Sequence, residues 1–144
     1  MKTEIDSFFS GYANAFMSKN LPHLAEFYSL PATFFTEEAE EIVFDESSFC
    51  ENTRKVLEAY EGLGICQMRF SNETHTPISK FLTLVSLQWQ FLNAESQLVY
   101  CATTRYLLRN QVANDDNTEN ELKIAAVFMV DEMTQFLNCL SNQD

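Results

Sequence analysis

The chain has 144 residues, 46% of them apolar, with 13 Phe, 5 Tyr and one Trp, and a formal net charge of −12. A chain of that length forms one hydrophobic core, so a single domain spanning 1–144 is expected and global disorder is excluded. The acidity excludes nucleic acid and anionic membrane surfaces as partners, because both are held by clustered cations; three Gly in all leave no Gly-rich phosphate loop.

The N-terminal stretch MKTEIDSFFSGYANAF carries acids and polar residues every few positions. It has neither a signal-peptide apolar region nor a membrane span, and a cytoplasmic location with reduced thiols is the expectation. From Ile5, apolar residues recur at offsets 3, 4, 7, 8, 11 and 12 (Phe8, Phe9, Tyr12, Ala13, Phe16, Met17), which is the one-sided stripe of a helix. Asn20 before Leu21-Pro22 predicts the N-cap and first turn of a second, short helix running to about Tyr28, which Pro31 stops. Residues 32–36 and 41–44 predict a hairpin with the acidic run Glu37-Glu38-Ala39-Glu40 at its tip. Asp45 then caps a third helix, with Phe44 and Phe49 placed as a hydrophobic staple. Phe49, Val56, Leu57 and Tyr60 form its inner stripe, and Gly62 its end.

After Gly64 the period changes from 3.6 to 2 and predicts four strands, at about 64–71, 80–92, 97–109 and 121–130. Asn93-Ala94-Glu95-Ser96 is the turn of a hairpin, whereas Asn72 to Pro77 and Asn110 to Asn120 read as polar loops. Asp131 caps a final short helix with Met133, Phe136, Leu137 and Leu140 on one face.

Three segments carry a family resemblance. Residues 24–34, LAEFYSLPATF, resemble a helix-to-first-strand turn; residues 57–65, LEAYEGLGI, a third-helix exit; and residues 103–109, TTRYLLR, with 122–127, LKIAAV, the last two strands of the nuclear transport factor 2-like superfamily. The resemblance implies an α+β fold, a cone-shaped curved, mainly antiparallel sheet wrapped around three N-terminal helices. It reaches over residues 4 to 130 through packing residues, and the fold it implies is shared by isomerases, cyclases, dehydratases and transport adaptors, so it does not choose among them. Asn114-Asp115-Asp116-Asn117 is longer than the last hairpin of many relatives.

Strand alternation sorts the side chains by face. Trp89, Tyr100, Thr104 and Tyr106 belong, with Cys66, Phe81, Val85, Leu87, Phe91, Ala102, Leu108 and Phe128, to the set expected to face the helices. With Tyr12, Phe16, Tyr28 and Phe34, the first four of these are the candidate lining of a small-molecule pocket, aromatic with a few hydrogen-bonding tips; the alternative is that these rings simply fill the core. No strand position read as inward is Asp, Glu or His, so no catalytic residue is assigned, and His23 and His75 are read as surface residues. The chain has no Gly-x-Ser-x-Gly elbow. Its four cysteines are widely spaced with no metal-ligand pattern, so neither a metal nor a cofactor is expected. The opposite face is about half apolar, more than a solvated sheet face carries, which predicts a homodimer through Arg69, Leu84, Gln88, Thr103, Arg105 and Val127. The function expected is that of a dimeric domain binding a small apolar or aromatic molecule. The alternatives are an isomerase, cyclase or dehydratase using pocket Tyr hydroxyls, and a protein-interaction adaptor using the acidic rim.

Overall fold

The structure, a computed structural model, describes residues 2–112, 120–131 and 135. Its elements run α1 (Lys2–Met17), α2 (Leu21–Ala25), β1 (Tyr28–Phe35), β2 (Glu40–Val43), α3 (Glu46–Gly62), β3 (Gln67–Ser79), β4 (Leu82–Leu92), β5 (Leu98–Val112) and β6 (Asn120–Met129). Among the described residues six strands form one sheet in the order β2-β1-β6-β5-β4-β3, in which only the β1–β6 pair is parallel. Among the described residues no helix is long and apolar enough to cross a membrane.

The stripe on α1 is buried as its spacing requires: Ile5, Phe9, Tyr12, Ala13 and Phe16 all enter the core. Asn20 accepts the His23 N–H at 3.3 Å and starts α2. That helix stops at Ala25 rather than Tyr28, because Tyr28 is drawn into β1 opposite Ile124, whose N–H donates to the Phe27 carbonyl at 2.8 Å. Pro31 lies within β1, where the β1–β6 register breaks between Tyr28 and Thr33; a residue without an N–H cannot join that ladder. The Asp45 carboxylate accepts the Ser48 N–H at 2.8 Å and caps α3. That bond holds the Asp45 carboxyl below the ordinary carboxylate range. The staple does not seat the helix: Phe44 is 68% exposed, while Phe49 turns in against Tyr28 with ring centroids 4.7 Å apart. The inner stripe of α3 is Phe49, Thr53, Leu57 and Tyr60, with Val56 at its exposed margin.

Val85, Leu87, Trp89 and Phe91 on β4, and Tyr100, Ala102, Thr104, Tyr106 and Leu108 on β5, are buried on the helix side, as alternation predicts. Three strand expectations are corrected. Cys66 and Phe81, expected to point inward, fall just before β3 and β4 and are exposed. β3 runs on through the expected loop to Ser79, carried by pairing of Thr74 to Ser79 with β4 across a bulge after Ser71. β6 bulges as well: Leu108 faces Ile124 but Leu107 faces Ala126, so one extra residue, Ala125, shifts the alternation by one position. Val127 therefore points inward and is 2% exposed, and its assignment to an outer dimer face is withdrawn. Phe128 turns to the other side and stacks on Phe35, centroids 5.0 Å apart. Asn110 to Val112 continue β5, with Asn110 opposite Leu122; the rest of the expected 110–120 loop up to Asn120, and the final helix with Met133, Phe136, Leu137 and Leu140, lie outside the described residues.

Candidate functional site

The concave side of the sheet and the inner faces of α1 and α3 enclose a cavity of about 120 Å³. Tyr12 and Phe16, four apart on α1, reach it from one side; Tyr28 and Phe34 come from β1, Trp89 from β4, and Thr104 and Tyr106 from β5. Seven of the eight expected pocket residues are thus brought together. The eighth, Tyr100, is held off the cavity. Its ring stacks on Phe91 with centroids 4.6 Å apart, and its hydroxyl donates to Tyr60 at 2.6 Å, so that Tyr60 faces the cavity in its place. Sequence alternation also misses Thr53 and Val56 of α3 and Val127 and Met129 of β6, which line the same space.

Four of the polar side chains of this lining are tied in two pairs. The Tyr12 and Tyr28 hydroxyls lie 2.7 Å apart, and the Trp89 indole N–H donates to the Tyr106 hydroxyl at 2.7 Å. Among the described lining residues none is Asp, Glu, His, Lys or Arg. The wall offers aromatic faces and hydroxyl groups, and no group that takes a proton near neutral pH.

Ionisable groups do gather elsewhere on the inner side of the sheet. The β3 bulge puts Glu73 and His75 on the face opposite Val85, which is core, and Asp6 of α1 approaches them; one ligand atom from each of the three lies within 4.8 Å of the others. His75 Nε2 is hydrogen-bonded to Glu73 Oε2. Burial first, and then the facing Asp6 carboxyl, push the Glu73 carboxyl above its ordinary range, while His75 draws it back down. None of the three lines the cavity. Phe9, Phe70 and Trp89 meet one another at 5.7–6.4 Å between centroids, and Val85 lies four positions from Trp89 along β4, or about 13 Å. In sequence His75 reads as a loop residue because Asn72, Thr74, Thr76 and Pro77 are turn-type residues; the signal that points the other way is the Glu-Thr-His-Thr alternation with β-branched residues at every second position. His23 does sit at the surface, in a wide-open groove of about 610 Å³ beside Glu4, Glu26, Glu121 and Lys123.

On the sheet's other side Arg69 bonds Gln90 at 2.8 Å, Asn72 bonds Gln88 at 2.7 Å, and Gln88 reaches the Cys101 sulfur at 3.8 Å. Leu84, Thr103 and Leu107 are half-buried and Arg105 exposed on this same side.

The family described as NTF2-like protein (DUF6841) matches residues 3–132. None of the curated proteins matches the chain significantly. Among solved structures, Aln2 from a Streptomyces species superposes with a TM-score of 0.69 at 11% identity, covering 92% of each chain. A Catenulispora acidiphila protein in complex with S-DNPA gives 0.65 at 12% identity, over 92% of this chain and 95% of that one. A ketosteroid isomerase-like protein from Erwinia carotovora atroseptica gives 0.61 at 14%, over 86% and 90%. At such identities the likeness concerns fold alone, and it agrees with the order of helices and strands traced above. With a family match over nearly its whole length and a curved α+β sheet of the same kind, the chain belongs to the NTF2-like family DUF6841.

Proposed function

We propose that this domain binds a small apolar or aromatic molecule in the cavity between α1, α3 and the sheet, and that it does so as a homodimer. The observation that carries the reading is the lining itself: Tyr12, Phe16, Tyr28, Trp89 and Tyr106 turn ring faces and hydroxyls onto one enclosed space with no ionisable group among the described residues around it. A volume of about 120 Å³ lies below that of typical drug-sized pockets, roughly 300–1,000 Å³, and close to the roughly 150 Å³ of an engineered cavity that takes up benzene. The ligand that fits is a single ring with one polar substituent, and a four-ring steroid does not fit without repacking. Turnover by general acid–base chemistry is disfavoured because none of Asp6, Glu73 and His75 lines the cavity.

Binding is tested by titrating phenol, toluene and benzoate while following Trp89 fluorescence and the melting temperature. A ligand of this class is expected to quench or shift the emission and, at 100 times its dissociation constant, to add about 2.7 kcal/mol of stability. No change with any single-ring compound means that the rings are core filling and overturns the reading.

The dimer follows from the outer face, where Leu84 and Leu107 lie among Arg69, Gln88, Thr103 and Arg105 and remain only half-covered within one chain. Leu84→Asp is expected to yield a folded monomer by light scattering where the unaltered chain gives twice the 16.6 kDa mass. A monomeric unaltered chain at micromolar concentration contradicts it.

A further inference from the structure

We propose that Asp6, Glu73 and His75 form a binding site for a divalent transition-metal cation, separate from the aromatic cavity and independent of what that cavity holds. Glu73 and His75, two apart on β3, share a face, and Asp6 closes on them from the first turns of α1. The Glu73 side chain is 8% exposed, and while its Oε2 is bonded to His75, its Oε1 is buried and has no hydrogen-bond partner. An ionised carboxylate only accepts, and the imidazole Nε2 supplies at most one proton, already directed at Glu73. Glu73 Oε1 is thus a buried acceptor with no donor, beside a second carboxyl, which in a protein interior calls for a proton or a cation.

The donor set selects the class of cation. One imidazole nitrogen and two carboxylates suit a borderline ion such as Zn²⁺, whereas Ca²⁺ takes six to eight oxygens and Mg²⁺ a nearly ideal octahedron with retained water. Ligand atoms about 2.1 Å from a tetrahedral Zn²⁺ are roughly 3.4 Å apart; the three ligand atoms already lie within 4.8 Å of one another, and a cation enters by parting the His75–Glu73 hydrogen bond and taking both ligand atoms in place of the proton between them. Asp6 and His75 are partly exposed and leave a path from solvent. Three protein ligands leave one coordination position open to water or a small anion.

The test uses the full chain stripped with EDTA and titrated calorimetrically with Zn²⁺, and in parallel with Mg²⁺ and Ca²⁺. The expected result is one Zn²⁺ per chain, a higher melting temperature with Zn²⁺ only, and at least a tenfold loss of affinity in Asp6→Asn and in His75→Gln, with circular dichroism unchanged. His23→Gln, at the exposed histidine, is expected to bind as the unaltered chain does. Co²⁺ gives a second readout that does not depend on stability, visible absorption bands of a tetrahedral site that vanish in His75→Gln. Zn²⁺ bound equally well by the unaltered chain and both variants lies on surface thiols or other groups and overturns the proposal. So does the absence of stoichiometric binding, which leaves a shared proton between Asp6 and Glu73, and so does tighter binding of Mg²⁺ or Ca²⁺ than of Zn²⁺.

Discussion

Val127→Asp is expected to unfold the protein at neutral pH. The residue is 2% exposed and lines the aromatic cavity beside Met129 and Tyr106, so a carboxylate there meets no cationic side chain among the described lining residues. Burying an unpaired charge costs several kcal/mol, a large part of the roughly 5–15 kcal/mol that holds a domain together. The group relieves part of that cost by staying protonated. Its folded pKa then lies above its unfolded value, so the variant is least stable above the folded pKa and regains stability as pH falls through it, with the gain complete below the unfolded pKa. Urea unfolding at pH 7 and pH 5 reads both effects. A variant that melts like the unaltered chain at pH 7 would place Val127 on the outer face after all, and the contrast with Leu84→Asp, which keeps its fold, isolates the side of the sheet from the chemistry of the substitution.

Phe9→Ala is the second large effect. Phe9 has no exposed surface, and its ring meets those of Phe8, Tyr12, Phe70, Trp89 and Tyr106 at 4.9–6.4 Å. It therefore joins α1 to β3, β4 and β5 at once. Truncating a buried Phe to Ala costs about 3–5 kcal/mol from lost transfer energy and the void left behind, or a fall in melting temperature of roughly 10–15 °C for a domain of this size. The denaturant midpoint is expected to fall with little change in slope, because the surface exposed on unfolding stays nearly the same. A loss below about 1 kcal/mol would mean that the neighbouring rings collapse into the gap.

The helices and the two central strands are legible in the sequence because each buries one face only. The α1 stripe from Ile5 to Phe16 and the alternation from Val85 to Phe91 leave a single consistent register, and Asp45 marks the start of α3 through a local bond. What the residues conceal is decided by neighbours far along the chain. Ala125 carries no mark of a bulge, yet it reverses Val127 and Phe128, because a one-residue slip exchanges the faces of everything beyond it. Glu73 to Pro77 have loop-type chemistry and become strand only by pairing with Thr83 to Ser86; at a sheet edge Pro77 gives up no ladder bond that a second neighbour needs. The pocket is legible nearly whole from the strand faces, and Tyr100 is misplaced because alternation gives the side of a sheet but not the position along it at which a cavity ends. The acidic and imidazole group is invisible in sequence for a related reason: Asp6 and His75 meet only after α1 has settled on β3.

The single parallel pairing in the sheet has a consequence for how the molecule is made. β6 lies between β1 and β5, so it is the seam that joins the hairpin of the first half to the meander of the second. During synthesis β1 and β2 emerge early, with Tyr28 and Thr33 to Phe35 turned toward a neighbour, residues 124 and 126–128, that has not yet been translated. Until it arrives, the aromatic faces of α1 and α3 have only part of the surface they are shaped to cover, and such unfinished apolar surface and open strand edge are what chaperones bind and what aggregates. Of the described strands β6 is the latest to be translated and the one on which closure waits, so the two halves of the sheet need a protection, until residues 120–129 are made, that the joined sheet does not require.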